Sequence, residues 1–97
     1  MQIDERLVGD VKVLDVVGQI KVTQGSEMLK DKIHSVIQQG HKKLLVNLAG
    51  VEYVDSAGLG ELVGAYTTVM RAGGRMKLLN VTKKMRDLLS ITKLLTV

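Results

Sequence analysis

A serine set between a carboxylate and a run of small residues, VDSAGLG at 54–60, is the stretch of this chain best placed to do chemistry. Ser56 could act as a nucleophile, as a helix cap or as an acceptor of phosphate, and each use places a different demand on its neighbours. A hydrolytic nucleophile elbow needs G-x-S-x-G, but Val54 stands where the first glycine belongs. A serine nucleophile also needs a base. The two histidines fall elsewhere, His34 within the first helical pattern and His41 just after it, and neither has a visible triad role. Gly58, Gly60 and Gly64 form G-x-G-x-x-x-G, not the dinucleotide-binding spacing, and no G-K-S or G-K-T follows them. Asp55, Glu52 and Glu61 have no partner histidine at ligand spacing, so neither a metal nor another cofactor is expected.

Two uses of the serine survive. Asp55 or Ser56 can cap the helix that follows, which is worth about 1 kcal/mol. Capping alone leaves the glycines unexplained, since each costs a helix roughly 0.5 to 1 kcal/mol relative to alanine. Gly64 is assigned to close packing against a sheet. Gly58 and Gly60, near an exposed helix start, are expected to flatten the surface so that another protein's backbone can approach. A hydroxyl at a helix N-terminus can accept phosphate, which the free amides and the helix dipole then favour. The added charge, about −1.5 to −2, lands beside Asp55 and repels a partner fitted to the neutral form.

The elements that must hold this serine follow from the apolar periods. Residues 2–8 and 11–17, joined by Gly9 and Asp10, read as a β-hairpin. Leu29, Ile33, Val36 and Ile37 mark a helix over 26–39, with Thr23 or Ser26 as its cap and Gly40 at its end. KKLLVNL at 42–48 reads as a central strand buried on both faces, and AGVEYVD as the loop after it. Leu59, Leu62, Val63, Tyr66, Val69 and Met70 then mark one face of a second helix, ended by Ala72, Gly73 and Gly74. A strand at 75–81, a short third helix at 82–91 capped by Thr82, and the beginning of a strand at LLTV complete the series. Strand and helix in alternation imply an α/β fold: one domain over 1–97, with a mixed, mostly parallel β-sheet and helices packed on it.

Composition agrees with one globular domain. The chain has 97 residues, 45 % of them hydrophobic and 25 % charged, and a chain this short buries only roughly 60 to 65 % of its unfolded surface, too little for two cores. It holds no cysteine, which excludes disulfides and thiolate metal sites. MQIDERLVGD lacks the layout of a secretory signal, and no apolar run approaches the ~20 residues that span a bilayer, so a cytoplasmic protein without a membrane partner is expected. Residues 1–69 carry seven Lys or Arg against nine Asp or Glu, and residues 70–97 carry seven against one. That basic end invites a nucleic-acid reading, yet only Tyr53 and Tyr66 are aromatic, so no direct nucleic-acid contact is expected. A solvated basic face that steers an acidic protein partner fits better.

VDSAGLG, preceded by LLVNLAGVEYV and followed by RAGGRMKLLNV, resembles the bacterial anti-sigma factor antagonists, which are single STAS domains. GQIKV before the first helix and the closing SITKLLTV extend the resemblance over nearly the whole chain. The resemblance implies a STAS fold and a regulator that works by partner switching, with no catalysis of its own. An anti-sigma factor that is also a serine kinase phosphorylates the serine after the aspartate, here Ser56. The unphosphorylated form binds that kinase and frees the sigma factor, and a PP2C-type phosphatase restores it. ATP and magnesium would belong to the kinase. The resemblance places Asp55 beside the phosphosite, puts Ala57, Gly58, Leu59 and Gly60 in the helix start under the partner, and makes Gly73 and Gly74 the turn into the next strand. Family members usually continue past the strand that LLTV begins, which implies a truncated or short domain and makes a homodimer an expectation. The same domain type also serves in stress-sensing scaffolds, as a cytoplasmic tail of anion transporters and in lipid-trafficking machinery. The intact D-S-x-G-L-G motif favours the sigma regulator over these. An enzymatic alternative, a small serine hydrolase, would require turnover of an activated ester that Ser56→Ala abolishes.

Overall fold

The computed structural model describes residues 1–21, 25–83 and 85–87. The first helix and the strands around it follow from the switch between a period of two and a period of 3.6 residues. β1 (Gln2–Val8) and β2 (Val11–Ile20) form the expected hairpin, and Gly9 turns the chain at φ +61°. α1 (Ser26–Gln38) crosses to β3 (Lys43–Val54), and α2 (Ser56–Arg71) crosses to β4 (Arg75–Leu79). The sheet order is β1-β2-β3-β4, antiparallel between β1 and β2 and parallel thereafter. This is the mixed, mostly parallel α/β sheet that the pattern predicts.

Both helices contribute to a single core. Leu29, Ile33 and Val36 of α1 and Leu59, Leu62, Ala65 and Val69 of α2 meet Leu14, Val16, Val46 and Leu48 of the central strands. Burial in β3 therefore alternates: Leu44, Val46 and Leu48 are buried while Leu45 and Asn47 are half-buried. The expectation of a strand buried on both faces is corrected, because the helices lie on one side of the sheet. The other side carries a polar chain instead. Arg6 donates to Asp15 at 2.7 Å, Asn47 donates to Asp15 at 2.8 Å, and Asn80 donates to Asn47 at 2.9 Å.

β3 is also longer than its apolar run. Residues read as a loop, Ala49 to Val54, stay in the sheet, and β2 runs on to Ile20 beside them. The register slips twice on the way, between Asp15 and Val17 and between Gly18 and Gln19. At Gly50 a Cβ would come within 2.8 Å of Val17 Cγ2 and 3.0 Å of the Val16 carbonyl oxygen, so the glycine admits a neighbouring strand where it looked like a turn.

Smaller differences follow the same packing logic. α1 starts at Gly25, with no side chain capping it, and Ser26 is buried as the first helical residue. Thr23, the other expected cap, lies outside the described residues. Met70 is exposed and Ala65 takes its place on the buried face of α2. Thr82 caps as expected: its hydroxyl accepts from the Met85 amide at 3.2 Å and its carbonyl from Arg86 at 2.8 Å. The expected course of the third helix after 87 and the strand expected at LLTV lie outside the described residues. No helix among the described residues is long and apolar enough to cross a membrane.

Candidate functional site

Ser56 lies where the carboxyl ends of two parallel strands meet the start of a helix, the place where open α/β sheets gather their functional groups. β3 delivers Val54 into the core and turns out at Asp55, which has extended backbone (φ −92°, ψ 167°) and is the N-cap of α2. The Asp55 carboxylate accepts the Gly58 amide at 2.5 Å, and its carbonyl accepts the Leu59 amide at 2.9 Å. Its own amide donates to the Ile20 carbonyl at the end of β2, at 3.2 Å. Asp55 is thus the cap, and Ser56 is released from that duty. Ser56 sits at the first helical position, exposed, with no hydrogen bond to its hydroxyl among the described residues. The amides of Ser56 and Ala57 have no acceptor within the helix, as the first turn of any helix requires.

The two threonine hydroxyls of α2 are engaged. Thr67 donates to the Val63 carbonyl at 3.2 Å and Thr68 to that of Gly64 at 3.1 Å. Among the serine and threonine hydroxyls of this helix, Ser56 is the one that is both outward and untethered.

The glycines divide by role. Gly58 is buried, and a Cβ there would collide with the Ile20 carbonyl, so this glycine lets the helix tip close onto the end of β2. Its expected part in flattening an outward surface is corrected accordingly. Leu59 likewise points into the core. Gly60 is exposed with open space around it, as expected. Gly64 is exposed too, with nothing within 4 Å of an added Cβ, so its assignment to sheet packing is overturned. Of the six residues proposed from sequence, Ser56, Ala57 and Gly60 face solvent, Asp55 is half-buried, and Gly58 and Leu59 support them from beneath.

Two residues at the carboxyl ends of β2 and β3, the end of the sheet where α2 begins, escaped the sequence reading of the site. Tyr53 is 43 % exposed, and the Lys21 ammonium lies 5.2 Å from the centroid of its ring. Tyr53 and Thr82 also line a small cleft of about 170 Å³ with Glu52 and Val54. The signal for Tyr53 was its status as one of two aromatics; nothing in the one-dimensional pattern places Lys21 beside it. The histidines stand apart from Ser56. His41 precedes β3 while Ser56 follows it, and His34 is half-buried in α1 with its Nε2 unpartnered. Among the described residues no cluster of His, Asp or Glu is arranged to hold a metal ion.

Comparison with known proteins gives one consistent result. The model of the STAS domain family matches residues 2–97. The anti-sigma-B factor antagonist of Bacillus subtilis is 35 % identical over 85 residues, spanning 88 % of this chain and 75 % of that protein. Among solved structures, the Bacillus cell fate determinant SpoIIAA in its phosphorylated form superposes with a TM-score of 0.77 at 24 % identity, covering 96 % of this chain and 85 % of that one. An anti-sigma factor antagonist from Mycobacterium paratuberculosis gives 0.79 at 22 % identity, covering 96 % and 78 %. At these identities the two structures establish the fold.

Proposed function

The chain belongs to the STAS domain family, in its anti-sigma factor antagonist branch, and we propose that it switches partners under the control of a phosphate on Ser56. In the bare form the helix tip offers a surface of Ser56, Ala57 and Gly60 with no long side chain on it, and an anti-sigma factor that is also a serine kinase docks there and releases its sigma factor. The kinase transfers the γ-phosphoryl group of ATP to Ser56. A bond forms between Oγ and phosphorus, the bond from phosphorus to the ADP oxygen breaks, and the hydroxyl proton leaves to a base of the kinase. ATP and magnesium are the kinase's own.

The chain's part in this reaction is to present an acceptor and to survive its modification. The unpaired amides of Ser56 and Ala57 and the positive end of the helix dipole favour the new charge, so the fold stays intact. About −1.5 to −2 charges then stand beside Asp55 on a surface that was neutral at that point, and docking is lost to desolvation and repulsion. A PP2C-type phosphatase resets the system in the cytoplasm, and this chain performs no catalysis.

The observation that carries the reading is the untethered, exposed hydroxyl of Ser56 at the first position of α2, beside a carboxylate that already does the capping. The test is incubation with a cognate anti-sigma serine kinase and magnesium ATP, followed by peptide mass spectrometry and a pull-down. One phosphate on Ser56 and loss of kinase capture are expected. Phosphate on Thr67, Thr68 or Ser90, or equal capture of both forms, overturns the reading.

A further inference from the structure

We propose that Lys21 is the counter-cation of a phosphate on Ser56, resting against the Tyr53 ring while the serine is bare and turning to the phosphate once it is added. The inference rests on Ser56 being the modified residue. Lys21 directly follows Ile20, whose carbonyl holds the Asp55 amide at 3.2 Å and lies against Gly58. The backbone of Lys21 is therefore pinned beside the residue that precedes Ser56. Its ammonium is 5.2 Å from the centroid of the Tyr53 ring, a contact weak enough to exchange for a phosphate dianion.

Other cations have engagements that Lys21 lacks. Lys30, the lysine that reaches α2 from α1, is 3.7 Å from Glu61, and Lys12 and Lys32 both serve Glu5. Lys21 has no carboxylate within ion-pair distance among the described residues. Lys83, next to Thr82 at the cleft that includes Tyr53, is the rival at this end of the sheet. Asp55 and Glu52 act in the opposite sense, since their negative charges make the dianion harder to form. A pivoting Lys21 both steadies the phosphate and uncovers the Tyr53 ring, so modification alters two adjoining features of the surface.

Phosphoserine is installed at 56 during translation or by ligation, without any kinase, and its second ionisation is followed by ³¹P NMR. An ordinary phosphoserine titrates near pH 6. The midpoint should be about half a pH unit higher in Lys21→Gln than in the natural chain, should return in Lys21→Arg, and should be unmoved in Lys83→Gln. Tyr53 ring resonances should shift on phosphorylation in the natural chain and stay in place in Lys21→Gln. Thermal melting of each variant confirms that it is folded. Equal midpoints for the natural chain and Lys21→Gln, or a shift that follows Lys83 instead, overturn the proposal. Because the phosphate is placed synthetically, a kinase that ignores Ser56 would sink partner switching and leave this measurement to stand or fall alone.

Discussion

The carbonyl of Ile20 accepts the amide of Asp55 at 3.2 Å, and this bond ties the last residue of β2 to the cap of α2. The helix tip is therefore anchored to the sheet on both sides of Ser56: Asp55 is held before it, and Gly58 packs on the same carbonyl after it. A rigid frame around a single outward hydroxyl is what a covalent switch requires, since the added charge then changes the surface and leaves the frame alone.

The cap can be tested without touching the serine. Asp55→Ala leaves the Gly58 amide without its acceptor and should cost about 1 kcal/mol in urea unfolding, whereas Asp55→Asn, which keeps an oxygen for that amide, should cost a few tenths. Equal losses for the two variants would mean that the carboxylate charge, and not the hydrogen bond, holds the helix start.

Gly58 and Gly60 should respond in opposite directions. Gly58→Ala forces a methyl group onto backbone at Ile20, which cannot swing aside, and the variant should be destabilised by about 1–3 kcal/mol. Gly60→Ala meets open space in a helix interior and should gain about 0.5–1 kcal/mol. If Gly60 lies under the partner, Gly60→Ala should nonetheless weaken capture of the kinase, while Gly64→Ala, one turn further along, should be stabilised with a smaller effect on binding. Chemical denaturation and titration calorimetry on the same three proteins separate these effects; a Gly58→Ala protein as stable as its parent would undo the packing assignment.

The order of elements and the position of Ser56 were legible because both rest on local patterns: apolar periods for the strands and helices, and a carboxylate, a serine and small residues at a helix start. The second half of β3 was not legible. Ala49 and Gly50 carry a turn-like composition, yet Gly50 serves to admit Val17 of the neighbouring strand, a requirement that exists only once β2 and β3 are paired. One-sided burial of the sheet was hidden for a related reason, since Leu45 and Leu79 are apolar yet only half-buried on the uncovered face. Gly64 was misassigned because glycine spacing reports neither which way a helix faces nor what lies opposite. Lys21 reaches Tyr53 across two strands whose register slips twice, and no one-dimensional period encodes that pairing.

The polar chain on the uncovered face gives the fold a defined acid response. The Arg6 guanidinium first, and the Asn47 amide second, hold the Asp15 carboxyl below the usual carboxylate range. Lys32 does the same for Glu5. A carboxylate whose folded pKa is depressed adds stability that is complete above its unfolded value, about 4, and is lost as the pH falls through the folded value. Stability should therefore decline between about pH 5 and pH 2, and Arg6→Gln should flatten that decline while changing little at pH 7 beyond what an exposed pair contributes. Urea midpoints measured from pH 2 to pH 7 in both proteins provide the check; parallel curves would show that the ion pair carries no linkage.

Ser56 itself should be nearly silent in folding and decisive in binding. Its side chain makes no hydrogen bond among the described residues and is exposed, so Ser56→Ala and Ser56→Asp should each unfold within about 0.5 kcal/mol of the natural chain. Aspartate at the first helical position also meets the favourable end of the dipole, which biases it toward the stable side of that range. Partner capture should divide the pair sharply: Ser56→Ala retains the kinase even with ATP present, and Ser56→Asp binds it at least tenfold more weakly, a difference of about 1.4 kcal/mol. A single carboxylate carries less charge and fewer acceptor oxygens than a phosphate, so true phosphoserine should weaken capture further than aspartate does. If Ser56→Asp were to lose stability as well as binding, the switch would be acting through the body of the fold and not through its surface.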